Sequence, residues 1–291
     1  MNITPYPKLF LANDLNEALH ALRELADSAI PLAGATWVMR APLRCETADQ
    51  TLIDLSRIEA LRTINIDQQE AVIGALATHE QIAHALQGYK DLAALTQAAG
   101  HSANPAIRRM ATIGGNICTA EFAAADLVPA LLALDARLEI EGLDGSRTQT
   151  MAAFLEGRAT RAQTDLVTRL IIPRTQRTST HARLTLRKAG DYPVANLSVS
   201  IALDAGGKIS EATVAVGAVE AVAKRWTGFE EAIIGHAPSP EKMQMIAKTC
   251  LEEFDGRDAT DAPGWYRLRV LPGLVANAFS TLQEITLGRA M

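Results

Sequence analysis

Two glycine-containing runs and one aspartate are the residues whose types and spacing could do chemistry in this chain: "LAGATWV" at 32–38, "ATIGGN" at 111–116, and Asp126 within "AAADLVPALLALDA". Each run follows an apolar stretch and offers consecutive backbone N–H groups with a threonine nearby. That is the donor set a phosphate or pyrophosphate needs where no side-chain cation is spent. Neither run has the G-x-G-x-x-G spacing of a Rossmann fingerprint or a G-K-[ST] loop, which disfavours the familiar nucleotide folds. Taken singly, each run reads equally as a plain structural turn. Taken with Asp126, placed to accept hydrogen bonds from ribose or ribityl hydroxyls, they point to a dinucleotide-like ligand. Asn116 as a brace for its turn and Asp126 as the N-cap of a following helix are the structural alternatives.

Other chemistry is poorly supplied. Cys45, Cys118 and Cys250 are far apart, so no CxxC zinc or iron–sulfur motif exists within the chain. Cys118 has no charged helper beside it in sequence and reads as a small buried hydrophobe. His79 and His84 stand five apart and the other four histidines are isolated, so no histidine pair has metal-ligand spacing. No His/Asp/Ser constellation is apparent, and no catalytic side chain is assigned.

The elements that must position the runs are legible in outline. "DLNEALHALRELA" at 14–26 carries a capping box at Asp14 and Glu17 and an apolar face, which predicts an amphipathic helix. It leads into a short strand that breaks at Gly34, then into a second apolar stretch at 51–56. Residues 71–77 read as a strand, followed by a helix capped by Thr78 and Gln81. A helix over about 91–99 is expected to stop at Gly100, and Pro129 to start another before a strand ending near Gly142. "NLSVSIAL", "DAGG" and "KISEATVAVGAV" predict a hairpin of a half-exposed antiparallel sheet, with Leu197, Val199 and Ile201 inward and Ser198 and Ser200 outward. Two helices follow, the second opened by Ser239 and Pro240.

The chain of 291 residues is 48% hydrophobic and 21% charged, with a formal net charge of -5. This is an ordinary globular composition. There is no basic run to meet nucleic acid or an anionic membrane, and no window of about 18 apolar residues to span one. With no export signal at the start, the cytoplasm is the default expectation.

"PLAGATWVM", "LIDLSRIEALRTI", "IGALATHEQIA", "NPAIRRMATIGGNI", "AAADLVPALLALDA" and "LRKAGDYPVANLSVSIAL" occur in the order seen in the FAD-binding (medium) subunits of molybdenum hydroxylases, the family of xanthine dehydrogenase and aerobic carbon monoxide dehydrogenase. The chain resembles that family over nearly its whole length. The resemblance implies an α+β flavoprotein with a two-lobed FAD-binding fold of the vanillyl-alcohol-oxidase type, an α/β lobe at 1–57 and an α+β lobe at 58–177. A C-terminal lobe at 178–291 would hold a three-stranded antiparallel sheet and a helix bundle. It implies that Leu32, Ala33, Gly34, Ala35, Thr36, Trp37 and Val38 wrap the pyrophosphate of a noncovalent FAD. Thr112, Gly114, Gly115 and Asn116 match the second FAD-binding turn, Thr119 follows it, and Asp126 matches the aspartate that binds the flavin's sugar-like chain. Val167 and Arg183 fall near further FAD contacts, and Tyr192 near the isoalloxazine.

The implied role is electron transfer. A large molybdopterin subunit would hydroxylate the substrate, a small [2Fe–2S] subunit would relay electrons, and FAD in this chain would pass them to an external acceptor, in a dimer of heterotrimers. Two other roles stand beside it: a flavin-poor scaffold for the same partners, and a stand-alone flavin reductase. The chain departs from the family's pattern where G-G-T-[DS] becomes Gly34-Ala35-Thr36-Trp37. It departs again where "CTAEFAAAD" is one residue longer than the common segment and lacks its proline, and where "IRR" replaces "IRN".

Overall fold

The computed structural model describes residues 8–46, 49–160, 164–186 and 192–286, so the middle of the "LRKAGDYPV" run lies outside the described residues. Three sheets, each with its own hydrophobic cluster, organise the molecule.

In the first, β1 (Leu9–Leu11), β3 (Thr51–Asp54) and β2 (Ala29–Leu32) pair in parallel, with β3 central. Helix α1 (Leu15–Leu25) covers them through Ala18, Leu19 and Leu22. Asp14 caps α1 by accepting the Glu17 N–H at 2.8 Å. The Glu17 carboxylate reaches back one residue further than a capping box requires, to the N–H of Asn13. Strand β2 ends at Leu32, so the first glycine run leaves the C-terminal end of a parallel sheet and passes into a 3-10 helix, Val38–Arg44.

The second sheet is antiparallel in the order β4 (Ile64–Ile66), β5 (Glu70–Gly74), β8 (Leu166–Pro173), β6 (Arg137–Gly142), β7 (Gly145–Thr150). Five helices, α2 (His79–Ala85), α3 (Ala93–His101), α4 (Pro105–Arg108), α5 (Ile113–Cys118) and α6 (Leu127–Ala133), connect β5 to β6, and α7 (Met151–Gly157) follows β7. The Thr78/Gln81 capping box of α2 is present in both directions. Three expectations are corrected here. Gly100 lies inside α3, which runs on to His101. Helix α6 starts at Leu127, with Pro129 in its first turn. The "TIGGN" run is the start of helix α5, with Thr112 as its N-cap, rather than a turn.

The third sheet is antiparallel, β9 (Thr178–Thr185), β10 (Pro193–Leu203) and β11 (Ile209–Gly217), with a two-residue strand β12 (Lys224–Arg225) added beyond the three expected. Helices α8 (Thr227–Ile233), α9 (Pro240–Thr249) and α10 (Gly264–Thr286) cover one face. The serine face, expected to be exposed, is buried as well: Ser198 is 0% and Ser200 1% exposed. Helices α3 and α6 of the preceding lobe pack over it. Buried polar groups need partners. Ser198 bonds the His181 ring at 2.8 Å, and Asn196 bonds Asp126 at 3.2 Å. Arg267 on α10 is wholly buried, and its guanidinium bonds the carbonyls of Arg257, Val194 and Ala218 and the carboxylate of Asp261.

Candidate functional site

The two glycine runs meet. A Cβ on Gly34 would collide with the backbone carbonyl of Met110, immediately before the second run. A glycine is therefore required there by backbone packing between the lobes. Next to it, Ala35 has φ 62, a left-handed conformation that costs a non-glycine residue about 1–2 kcal/mol. Ala35→Gly relieves that strain and gives part of it back through the freer unfolded chain. The expected result is a gain of about 0.5–1 kcal/mol in urea unfolding; a lowered midpoint would refute the strain.

The donor sets of the two runs differ, which the sequence does not reveal. In the second run the N–H groups from Ile113 onward are already spent: Ile113 donates to Ala77 at 3.0 Å, Gly114 to Ala75 at 2.8 Å, Gly115 to the Thr112 hydroxyl at 3.2 Å, and Asn116 to the Thr112 carbonyl at 2.9 Å. Thr119 donates to the Gly115 carbonyl at 2.7 Å. Gly114 also sits where a Cβ would press on Ala75 at 2.8–2.9 Å, so packing explains this glycine. The exception is Asn116, whose Oδ1 is buried with no partner. In the first run, by contrast, the N–H groups of Gly34, Ala35, Thr36 and Trp37 have no acceptor among the described residues. This run keeps free the consecutive backbone donors that an anion needs.

Asp126 does not cap α6; its side chain makes no capping bond. Both carboxylate oxygens face Arg183, at 3.1 and 3.2 Å, and Asn196 adds a further bond. Arg183 also donates to the His101 carbonyl at 2.8 Å. His181 Nε2 lies 3.8 Å from Asp126, a Coulombic rather than a hydrogen-bonded distance, and has no other partner. Burial works to raise the Asp126 pKa, but His181, Arg183 and Asn196 outweigh it and hold the carboxylate below its usual range. Serine, histidine and aspartate stand in file here. No nucleophile results, because Ser198 is wholly buried and Asp126 is already paired.

His79 borders the same cluster and feels the Asp126 charge. Ser102 Oγ donates to the Ala99 carbonyl at 2.9 Å, so at 2.7 Å it accepts from His79 Nδ1–H. His79 Nε2 is therefore a bare acceptor, buried and unpartnered. Burial pushes the His79 pKa down to about 4, Asp126 opposing and Arg108 assisting. The unfolded chain then takes up a proton near pH 6.5 that the folded chain refuses until about pH 4. Stability is complete above the upper value and falls by about 3 kcal/mol on acidification through this window. Urea midpoints measured between these limits should show the fall in the wild-type chain and its near-disappearance in His79→Leu. His101, also lowered by burial first and then by its cationic neighbours, leaves a small residue of the effect.

Of the remaining expected contacts, Val167 is buried in the central core on β8, its side chain spent on packing. Tyr192 is 44% exposed just before β10. Trp37 stacks against Phe122, which no sequence signal singled out. Among the described residues no group of three His, Cys, Asp or Glu side chains is placed to hold a metal, and no helix is long and apolar enough to cross a membrane.

Residues 5–175 match the family model for the FAD binding domain in molybdopterin dehydrogenase, and residues 181–282 match the CO dehydrogenase flavoprotein C-terminal domain. The chain belongs to this FAD-binding family of the molybdenum hydroxylases. Among its relatives, the carbon monoxide dehydrogenase medium chain of Afipia carboxidovorans is 31% identical, over 68% of this chain and 69% of that one. The 6-hydroxypseudooxynicotine dehydrogenase complex subunit alpha of Paenarthrobacter nicotinovorans is 27% identical over 97% of this chain and 93% of that one. Carbon monoxide dehydrogenase from Hydrogenophaga pseudoflava, in a form lacking the Mo-pyranopterin moiety, shares the fold: TM-score 0.88, 24% identity, 99% of this chain and 100% of that one covered. As a molybdenum hydroxylase FAD subunit, the chain is an oxidoreductase component with its FAD-binding domain over the first three-fifths of its length.

Proposed function

We propose that the chain is the electron-transfer subunit of a cytoplasmic heteromeric molybdenum hydroxylase. In this reading it binds FAD noncovalently, takes electrons from a small [2Fe–2S] subunit and passes them to an external acceptor. A large molybdopterin subunit performs the hydroxylation, and the assembly is a dimer of heterotrimers. Bound FAD supplies the redox step, and the protein holds, orients and electrically tunes it.

The observation that carries the reading is the set of free N–H groups at Gly34–Trp37, in contact through Gly34 with the second run and its unpartnered Asn116 Oδ1. Free backbone donors fit a pyrophosphate, and an unpartnered buried acceptor fits a hydroxyl or an N–H of the cofactor. Around Asp126, the bare acceptor of His79 and the unpartnered Nε2 of His181 offer further polar contacts to a hydroxyl-rich chain. None of these residues need act as general acid or base.

The decisive test is the visible spectrum of the purified chain. Flavin bands at near-stoichiometric FAD, with the chromophore released into the supernatant by acid precipitation, are expected. A folded, colourless chain that FAD does not reconstitute would favour the scaffold role, for which the strained Ala35 in the first run is the favouring observation.

A further inference from the structure

Three aromatic rings from three separate stretches stand in file: Trp37 in the first run, Phe122 in the link between α5 and α6, and Tyr192 before β10. Trp37 and Phe122 have centroids 5.0 Å apart, and Phe122 meets Tyr192 edge-on at 4.9 Å. Those are the spacings of favourable aromatic pairs. Both ends of the file are fastened to the 3-10 helix Val38–Arg44. The Arg44 guanidinium lies 4.1 Å over the Trp37 ring and is held by Glu46 at 2.5 and 2.6 Å; Arg40 donates to the Tyr192 hydroxyl at 2.9 Å. Trp37 and Phe122 also fall in the two stretches where the chain departs most from the family's pattern. Because they touch, the departures form one compensated change.

We propose that Trp37 and Phe122 are positioning residues, fixing the exposed Tyr192 ring as the face on which the planar ring system of FAD stacks. This rests on the FAD reading above. A phenol gripped at one edge by Phe122 and at its hydroxyl by Arg40 has lost its side-chain freedom before a ligand arrives, and such preorganisation tightens binding. The altered first run then retains the cofactor by a different route.

The test is a double-mutant cycle on FAD affinity, titrating the full apo chain. Trp37→Ser and Phe122→Ala should each weaken FAD about three- to tenfold, the range of an aromatic pair. The double variant should be no weaker than the weaker single one, and Trp37→Phe, which keeps a ring, should restore most of the loss. In a Tyr192→Ala background Trp37→Ser should fall silent. Bound-flavin fluorescence, quenched by a stacked tyrosine, should rise in both single variants. Additive losses, or unchanged affinity in a single variant that binds FAD, would overturn the proposal alone. A wild-type chain that takes up no FAD would overturn it together with the cofactor reading.

Discussion

Gly115→Val is expected to strip FAD from the chain and leave the fold standing. A Cβ at this position meets only the Thr112 hydroxyl, at 3.0 Å, and that rotor can turn away at the cost of a cap, about 1 kcal/mol. The branched methyls instead project from the start of α5 toward whatever lies on it. If FAD lies there, overpacking on the order of 3 kcal/mol weakens binding about a hundredfold. Gly114→Ala provides the contrast. Its methyl would press on the Ala75 backbone, which cannot rotate away, so this variant should lose stability first. Equilibrium dialysis for FAD and far-UV circular dichroism on both variants separate the two effects. Near-normal FAD in folded Gly115→Val would mean that the second run does not touch the cofactor.

The second large effect belongs to Asp126→Ala. Removing the carboxylate takes its charge away from Arg183 and its acceptor away from Asn196, and breaking one side of a buried pair typically costs about 3–5 kcal/mol. Denaturant unfolding should show that loss in the absence of cofactor. FAD affinity should fall with it, because the polar cluster loses its organising charge. The pH signature distinguishes this residue from His79. A carboxylate held below its ordinary range contributes fully above the unfolded value, about 3.9, and is lost only as pH falls through the lower folded value. The decline that begins near pH 6.5 should therefore survive in Asp126→Asn. A stability within about 1 kcal/mol of wild type for Asp126→Ala would show that the pair is not needed to hold α6 against the third sheet.

What could be read beforehand was local. Asp14 and Thr78 cap helices because a side-chain oxygen three residues before a free N–H is a short-range matter. The hairpin of β10 and β11 follows from alternation and the "DAGG" turn. Position in the fold defeated the rest. The serine face of β10 looks like a solvent face until α3 and α6, contributed by another lobe, cover it. Helix α10 is obscured by Pro272, which removes one backbone donor yet is tolerated within a 23-residue helix packed against the third sheet. The "TIGGN" run looks like a turn because two glycines oppose a helix, but Thr112 caps it and Ala75 demands a residue without a side chain. Asp126 was legible as a polar residue in an apolar stretch, and Arg183 only through the resemblance to the family. Their pairing across 57 positions was not. Nor was Phe122, an unremarkable residue in a small-residue segment, whose importance comes only from the two rings it touches.

The backbone contact between Gly34 and the Met110 carbonyl fixes how closely the two glycine runs approach each other. Main-chain atoms define that spacing, so exchanging side chains cannot widen or narrow it without forcing the lobes apart. Variation is left to the side chains beside the contact, as at Trp37, which stands where the family's pattern has a small polar residue. The side chains around the two runs can thus be exchanged repeatedly while the main-chain spacing between the runs stays the same.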